Sequence, residues 1–206
     1  KIFDGAFTNA GQVCLAIKRL YVHESIYDEM CEELIALARE AVVDDGLKQG
    51  TRIGPLQNRK QYERVKGLLE QTRAAGAQMD GGDVGDRPGY FVAPTIVRGI
   101  TDGAPLVDEE QFGPVLPVMS YSNIDDVVDR VNASPYGLGG SIWASDTNRA
   151  RAVAERVESG TVWINQHIDM LPYVPFGGSK QSGIGVEFGQ EGLEEFTQGR
   201  IINMAK

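Results

Sequence analysis

Cysteine is almost absent from these 206 residues: there are two, Cys14 and Cys31, and no C-x-x-C pair. That argues against a disulfide framework or a cysteine-rich zinc site, and it fits a reducing cytoplasm. Histidine is equally scarce. His23 and His167 lie far apart in sequence, so no metal cluster is visible and no metal is expected. No apolar run approaches the roughly 20 residues of a membrane span. The opening "KIFDGAFTNAG" lacks the charged-then-apolar layout of a signal peptide. Positive charge is outnumbered, with 20 Lys and Arg against 29 Asp and Glu. A net charge of -9 repels phosphates, which makes nucleic acid and anionic membrane poor partners. What remains is ordinary for a globular chain: 42% hydrophobic and 24% charged residues, in a length that can bury a substantial core.

The pattern that is present reads as α/β. "RLYVH" predicts a short buried strand, followed by a helix over "ESIYDEMCEELIALAREAV" with Ile26, Met30, Leu34, Leu37 and Ala41 on one face and a Ser25/Asp28 capping pair. A second helix is predicted from Arg59 to Ala75, with Tyr62, Val65, Leu69 and Thr72 inward and Gly76 as its stop. "GGDVGDRPGY" reads as a surface loop, and "YFVAPTIV" as a strand that Pro94 keeps short or at an edge. Strands "VLPVMSYS", "GGSIWAS" and "GTVWIN" alternate with helices "NIDDVVDRVN" and "TNRARAVAERV". This β-α-β-α-β order predicts a parallel, right-handed arrangement. The expected fold is a three-layer, doubly wound, mostly parallel sheet, with Cys14 near the carboxyl ends of its strands. Residues 166 to 189 show no regular period, and a loop that long is usually functional. "RIINMAK" closes the chain as a possible strand, and no internal linker stands out.

Two cysteines invite two readings. Cys31 sits in an amphipathic helix between Met30 and Leu34 and reads as structural. Cys14 follows polar Thr8, Asn9 and Gln12 and flexible Gly11, a run able to turn backbone N–H groups toward a sulfur and an oxyanion. Read without a family, Cys14 is either a small buried residue or a nucleophile. A thiol hydrolase pairing it with His167 is one open alternative. The runs "GLGG", "GGSKQSGIGVEFG" and "GGDVG" match neither G-x-G-x-x-G nor a phosphate-binding P-loop, and are read as backbone turning.

Taken together the motifs say more. "FTNAGQVC" resembles the cysteine signature of the NAD(P)-dependent aldehyde dehydrogenases. "EEQFGPVLPV" resembles that family's glutamate–phenylalanine motif. "NASPYGLGGSIWASD", "GTVWIN" and "PFGGSKQSGIGVEFGQEGLEEFTQGRIIN" resemble the segments that follow it, in family order and spacing. The resemblance implies that Cys14 is the nucleophile that adds to an aldehyde, with its own backbone N–H at the oxyanion. Hydride passes to NAD or NADP, and water hydrolyses the resulting thioester to a carboxylate. Glu110 matches the carboxylate that holds the nicotinamide-side ribose, and Phe112 the aromatic beside it. Gln61 and Arg64 match positions near the adenine ribose. Val13, Leu15 and Phe176 would line the aldehyde pocket, and Asn9, Gln12 and Asn165 would support the site. Without the resemblance, Glu109 and Glu110 read as a solvated acidic pair.

The departures are as informative. The family's general-base glutamate lies in an "ELGGK"-like motif before the cysteine, and none of the thirteen residues preceding Cys14 supplies one. Val186 stands where many members carry arginine. The chain is therefore expected to be the catalytic domain, residues 1–199, without the upstream part that binds most of the cofactor. Residues 200–206 are expected to form an oligomerisation strand in a homodimer or homotetramer. Alone, the chain is expected to be inactive. A coenzyme A-acylating relative and a non-catalytic interaction domain are the alternatives.

Overall fold

The computed structural model describes residues 1–81 and 86–206, which fall into two compact units, Lys1–Val131 and Asn132–Lys206. Part of the predicted "GGDVGDRPGY" loop lies outside the described residues. The unit boundary falls at the last residue of a helix rather than in a Gly- or Pro-rich linker, so composition does not mark it. Among the described residues, no helix is long and apolar enough to cross a membrane.

The first unit opens with helix α1 (Ile2–Phe7), then β1 (Leu20–His23), α2 (Tyr27–Glu40), α3 (Arg59–Ala74), β2 (Gln78–Asp80), β3 (Thr95–Arg98), α4 (Pro105–Asp108), β4 (Val115–Tyr121) and α5 (Ile124–Asn132). Its sheet runs β1-β4-β3-β2. The β1–β4 and β4–β3 pairs are parallel, and short β2 adds antiparallel at the edge. The chain is thus α/β with a mostly parallel sheet. Strand β4 reads as a near-continuous apolar run because it is central and buried from Val115 to Met119. Strand β3 begins just after Pro94, as that residue demands. Helices start where side chains cap them: Asn58 accepts from the Gln61 N–H, and Asn123 from those of Asp125 and Asp126. Gly76 ends α3 at φ +86°, a conformation that costs glycine little.

Two local expectations are corrected. The buried stripe of α2 is Cys31, Leu34, Ile35 and Ala38. Met30, Leu37 and Ala41 only flank the core, and Ile26 is exposed. Both stripes have helical spacing, and the sheet selects the neighbouring one. A 3-10 turn, Glu24–Ile26, leads into that helix and is capped by His23, whose Nδ1 accepts from the Ser25 N–H; the expected Ser25/Asp28 pair does not cap α2, whose N-cap residue is Ile26. A half-buried cluster pins β1: the Tyr21 hydroxyl donates to Asp102, which also accepts from Arg130 Nε of α5 at 2.7 Å. Burial opposes the Asp102 charge, but these two donors outweigh it and hold its carboxyl below the usual range.

The second unit contains β5 (Tyr136–Gly137), β6 (Gly139–Ile142), α6 (Thr147–Ala154), β7 (Thr161–Ile164), β8 (Phe176–Gly177), β9 (Ser179–Lys180), β10 (Val186–Glu187) and α7 (Gly189–Glu194). Strands β6 and β7 pair in parallel around α6, whose first turn is capped by Asp146. The other pairings, β5–β9 and β8–β10, are two-residue antiparallel ladders. The predicted β-α-β-α-β run is therefore spread over two sheets among the described residues: β4 belongs to the four-stranded sheet of the first unit, and β6 pairs with β7 in the second. Residues 166–189 are likewise not wholly irregular, since they hold β8, β9 and β10. Residues 200–206 carry no regular structure.

Candidate active site

The turn that carries Cys14 is anchored by α1, whose Phe3 and Phe7 are almost fully buried with ring centroids 4.6 Å apart. Beyond Phe7 the chain turns sharply: Asn9, Ala10 and Gly11 have φ of +51°, +56° and +71°. Two of these are not glycine, and each left-handed residue of that kind costs on the order of 1–2 kcal/mol, so the surroundings must impose the shape. Asn9 Nδ2 donates to the Gln12 carbonyl at 3.1 Å, and the Gln57 N–H donates to Gln12 Oε1 at 2.9 Å. Asn9 and Gln12, expected as supporting residues, thus brace the turn itself. Cys14 emerges exposed, whereas Cys31 is buried and its thiol pKa is pushed up by that burial. Among the described residues, no backbone carbonyl accepts from the Cys14 N–H. Val13 is half-buried and Leu15 buried.

The second loop leads into β4. Glu110 is exposed and Phe112 half-buried, with φ +44°. Gln111 between them is buried and donates to the carbonyls of Lys18, at 3.0 Å, and Val115, at 2.8 Å. Gln61 and Arg64, expected near a ribose, lie against this loop. Gln61 Nε2 donates to the carbonyls of Gln111 and Phe112 at 2.7 and 3.0 Å. Arg64 donates to the Glu109 carboxylate and the Glu110 carbonyl at 3.1 and 3.2 Å. Their position on α3 therefore shapes the backbone around Glu110 and Phe112.

The two loops meet backbone to backbone. A Cβ on Gly11 would lie 2.3 Å from the Gly113 carbonyl oxygen, a contact only glycine permits. Both loops enter the amino ends of parallel strands, β1 and β4, not the carboxyl ends that were expected. The usual rule describes loops that leave strands toward helices. Here the predicted site residues lie on segments arriving at the sheet.

Sequence reasoning missed Lys18. Its Nζ donates to the Gly11 carbonyl at 2.7 Å and the Val13 carbonyl at 3.2 Å, and lies 4.8 Å from the centre of the Phe112 ring. Burial lowers its pKa to about 8, with the negative charges of Glu110 and Cys14 pulling the other way. One signal was available: Lys18 shares the strand parity of Leu20 and buried Val22. Gln111 offers no such signal.

The remaining predicted residues belong to the second unit. Asn165, at φ +57°, exchanges two hydrogen bonds with the backbone of Ala144 and fixes the end of β7. Half-buried Phe176 lies in β8 opposite Glu187, and Val186 opposite Gly177. His167 stacks edge-on against Trp163 at 5.2 Å.

Comparison with known proteins follows the same lines. Residues 1–202 match the sequence model of the "Aldehyde dehydrogenase family". The chain is 38% identical over 200 residues to the putative aldehyde dehydrogenase DhaS of Bacillus subtilis and 42% identical over 201 residues to a mitochondrial aldehyde dehydrogenase of Leishmania tarentolae. Each alignment takes in 97% of this chain and 40% of the relative. In structure it resembles an aldehyde dehydrogenase from Bacillus cereus solved with NAD+, at TM-score 0.92 and 38% identity over 96% of this chain and 40% of that one. A betaine aldehyde dehydrogenase from Staphylococcus aureus, also with NAD+, gives TM-score 0.90 and 34% identity over 95% and 40%. The chain thus spans about 40% of the length of the relatives it matches.

Proposed function

This chain belongs to the aldehyde dehydrogenase family, and from that premise we propose that the protein carrying it oxidises an aldehyde to a carboxylic acid through a thioester on Cys14. The observation that carries the reading is an exposed thiol on a braced turn, packed backbone to backbone against the loop of Glu110 and Phe112. The Cys14 thiolate adds to the carbonyl carbon, and the oxygen that gains charge is placed beside the Cys14 N–H. NAD or NADP, when bound, takes the hydride, and water then releases the acid. The exposed Glu110 carboxylate suits a vicinal diol of a ribose, and the half-buried Phe112 ring suits a flat heterocycle beside it. Gln61 and Arg64 hold that loop in shape. Val13 and Leu15, beside Cys14, are proposed to line the aldehyde pocket. NAD+ in the two similar structures supports the dinucleotide class.

The test is NAD- or NADP-dependent oxidation of a panel of aldehydes by the full-length protein, with the acid identified as product. Cys14→Ser lowers the rate by at least about a thousandfold if the assignment holds. Retained oxidation, or acyl-coenzyme A as the required product, overturns it. The 206-residue chain alone is expected to give no appreciable turnover, because positioning of cofactor against substrate supplies roughly 7–11 kcal/mol of barrier lowering. Robust NADH formation by that chain contradicts this.

Residues 200–206 are proposed to cross to a neighbouring subunit in a homodimer or homotetramer, because Ile201, Ile202 and Met204 stand exposed on an unpaired segment. Deleting them from the full-length protein is expected to lower the mass seen by light scattering, and an unchanged mass removes the proposal. A cytoplasmic location is proposed from the scarce, unpaired cysteines. Fractionation into another compartment contradicts it.

A further inference from the structure

The carbonyl of Val13 and the N–H of Cys14 belong to one peptide unit. That carbonyl takes two hydrogen bonds, from the Ala16 N–H at 3.0 Å and from Lys18 Nζ at 3.2 Å. The preceding Gly11 carbonyl takes a third, from the same ammonium at 2.7 Å. Two donors on one oxygen fix the tilt of the Val13–Cys14 peptide plane, and hence the direction of the Cys14 N–H. A cation at the carbonyl end also draws electron density along the amide and makes the N–H at the other end a stronger donor, as hydrogen-bond chains do in a medium of low dielectric. No protein carbonyl competes for that N–H among the described residues. Lys18 is well placed for the task and for little else. Its stem is half-buried, its head is tied to the turn, and the Phe112 ring lies 4.8 Å away.

We propose that Lys18 is a positioning residue for oxyanion stabilisation: its ammonium, bound to the Gly11 and Val13 carbonyls, aims and polarises the Cys14 N–H toward the oxygen of the tetrahedral adduct. The proposal rests on Cys14 being the nucleophile. It makes the site dependent on a buried charge held beside Glu110 and Cys14, the two titratable groups that act on Lys18. Removing the charge leaves the thiol in place but lets the peptide plane relax.

Two reactions of the same sulfur separate this role from a general one. Iodoacetamide alkylates a thiolate by displacing iodide, and no oxyanion forms. With p-nitrophenyl acetate the thiolate attacks the carbonyl carbon, charge builds on the oxygen, and a C–S bond replaces the C–O bond as nitrophenolate leaves with the electron pair. The ratio of acylation to alkylation rate cancels the thiolate fraction common to both. In the full-length protein, Lys18→Met is expected to lower this ratio about tenfold, less than the loss of an oxyanion donor outright. Lys18→Arg, which keeps the charge and donors, is expected to retain most of it. In the unchanged protein the ratio falls as pH rises through about 8, where Lys18 loses its proton, and Lys18→Met is flat there. Continued protection of buried Cys31 from alkylation shows that a variant is folded. An unchanged ratio in Lys18→Met, or the same fall with pH in that variant, overturns the proposal. The pH profile of the unchanged protein decides the matter even if a variant misfolds, since a flat ratio there also overturns it. Failure of the underlying reading looks different: Cys14→Ser is acylated as fast as the unchanged protein.

Discussion

In Lys1–Val131 most large apolar side chains are hidden, with Ile26, Val42 and Leu47 as exposed exceptions: Phe7, Ile96, Leu116 and Val118 are at most 1% exposed. In Asn132–Lys206 they are not. There Ile184 is fully exposed, Phe196 and Leu193 largely so, and among the described apolar residues only Ala150 and Trp163 are buried. The first unit is held by a hydrophobic core, in which each fully buried large side chain contributes about 1.5–3 kcal/mol. The second is held more by backbone: two-residue ladders, side chains such as Asn165 bonded to main chain, and close approaches such as Gly160 against Gly177, where a Cβ would sit 1.7 Å from a carbonyl oxygen. The residues proposed for the chemistry divide along the same line. Those meant to stay within fractions of an ångström, Cys14, Glu110 and Phe112, stand on the packed unit. Phe176 and Asn165 stand on the second unit.

The contrast can be broken by substitution. The largest effect is expected at Leu116, buried in central β4: Leu116→Ala should cost about 2–5 kcal/mol in chemical denaturation of the full-length protein. A loss under about 1 kcal/mol would mean that the first unit's core is less decisive than its burial implies.

Next comes Lys18, a cation that the first unit partly buries at a cost. Its pKa falls from the ordinary 10.5 to about 8 through burial, only partly offset by Glu110 and Cys14. Between those values the unfolded chain binds more protons than the folded one, so the contribution of Lys18 to stability improves as pH rises from about 8 to about 10.5. The whole gain is at most about 3 kcal/mol. Lys18→Met should be more stable than the unchanged protein near pH 7 and should lose this component of the pH slope, read from denaturation midpoints across the window. A slope identical in both proteins would refute it. The function proposed for Lys18 needs the charge that stability disfavours.

The smallest effect belongs to the second unit. Ile184→Ala should change stability by no more than about 0.5 kcal/mol, because an exposed side chain loses nothing on truncation. A loss comparable with that of Leu116→Ala would show that Ile184 is covered in the full-length protein and would erase the contrast.

How much of this could be read beforehand follows from length and period. Helices α2 and α3 and strands β1 and β4 are legible because each repeats its pattern over several residues. Two-residue strands such as β8 and β9 have no period to detect. The face of α2 is misjudged by one stripe because Met30 and Leu37 are as apolar as Cys31 and Ile35, and only the sheet decides between them. Sequence separation hides the rest. Gln61 and Arg64 meet the Glu110 loop across some fifty residues, at 2.7 and 3.2 Å, and nothing local announces which backbone carbonyls they serve. Cys14, Glu110 and Phe112 were legible as motif positions. Lys18 was passed over despite its parity with Leu20 and Val22, because a lysine ahead of a strand ordinarily reads as solvated charge.

The contact of Gly11 with Gly113 also bears on redesign. A Cβ on Gly113 would in turn press on Val65 Cγ2 at 2.5 Å, so the Cys14 turn, the loop before β4 and helix α3 form one seam without slack. Anyone grafting a different turn or loop onto this scaffold inherits that seam. A transplanted turn with any side chain at position 11 displaces the Phe112 loop along with it, and a bulkier loop at position 113 displaces α3. The three segments, scattered over a hundred positions of sequence, behave as a single interchangeable part.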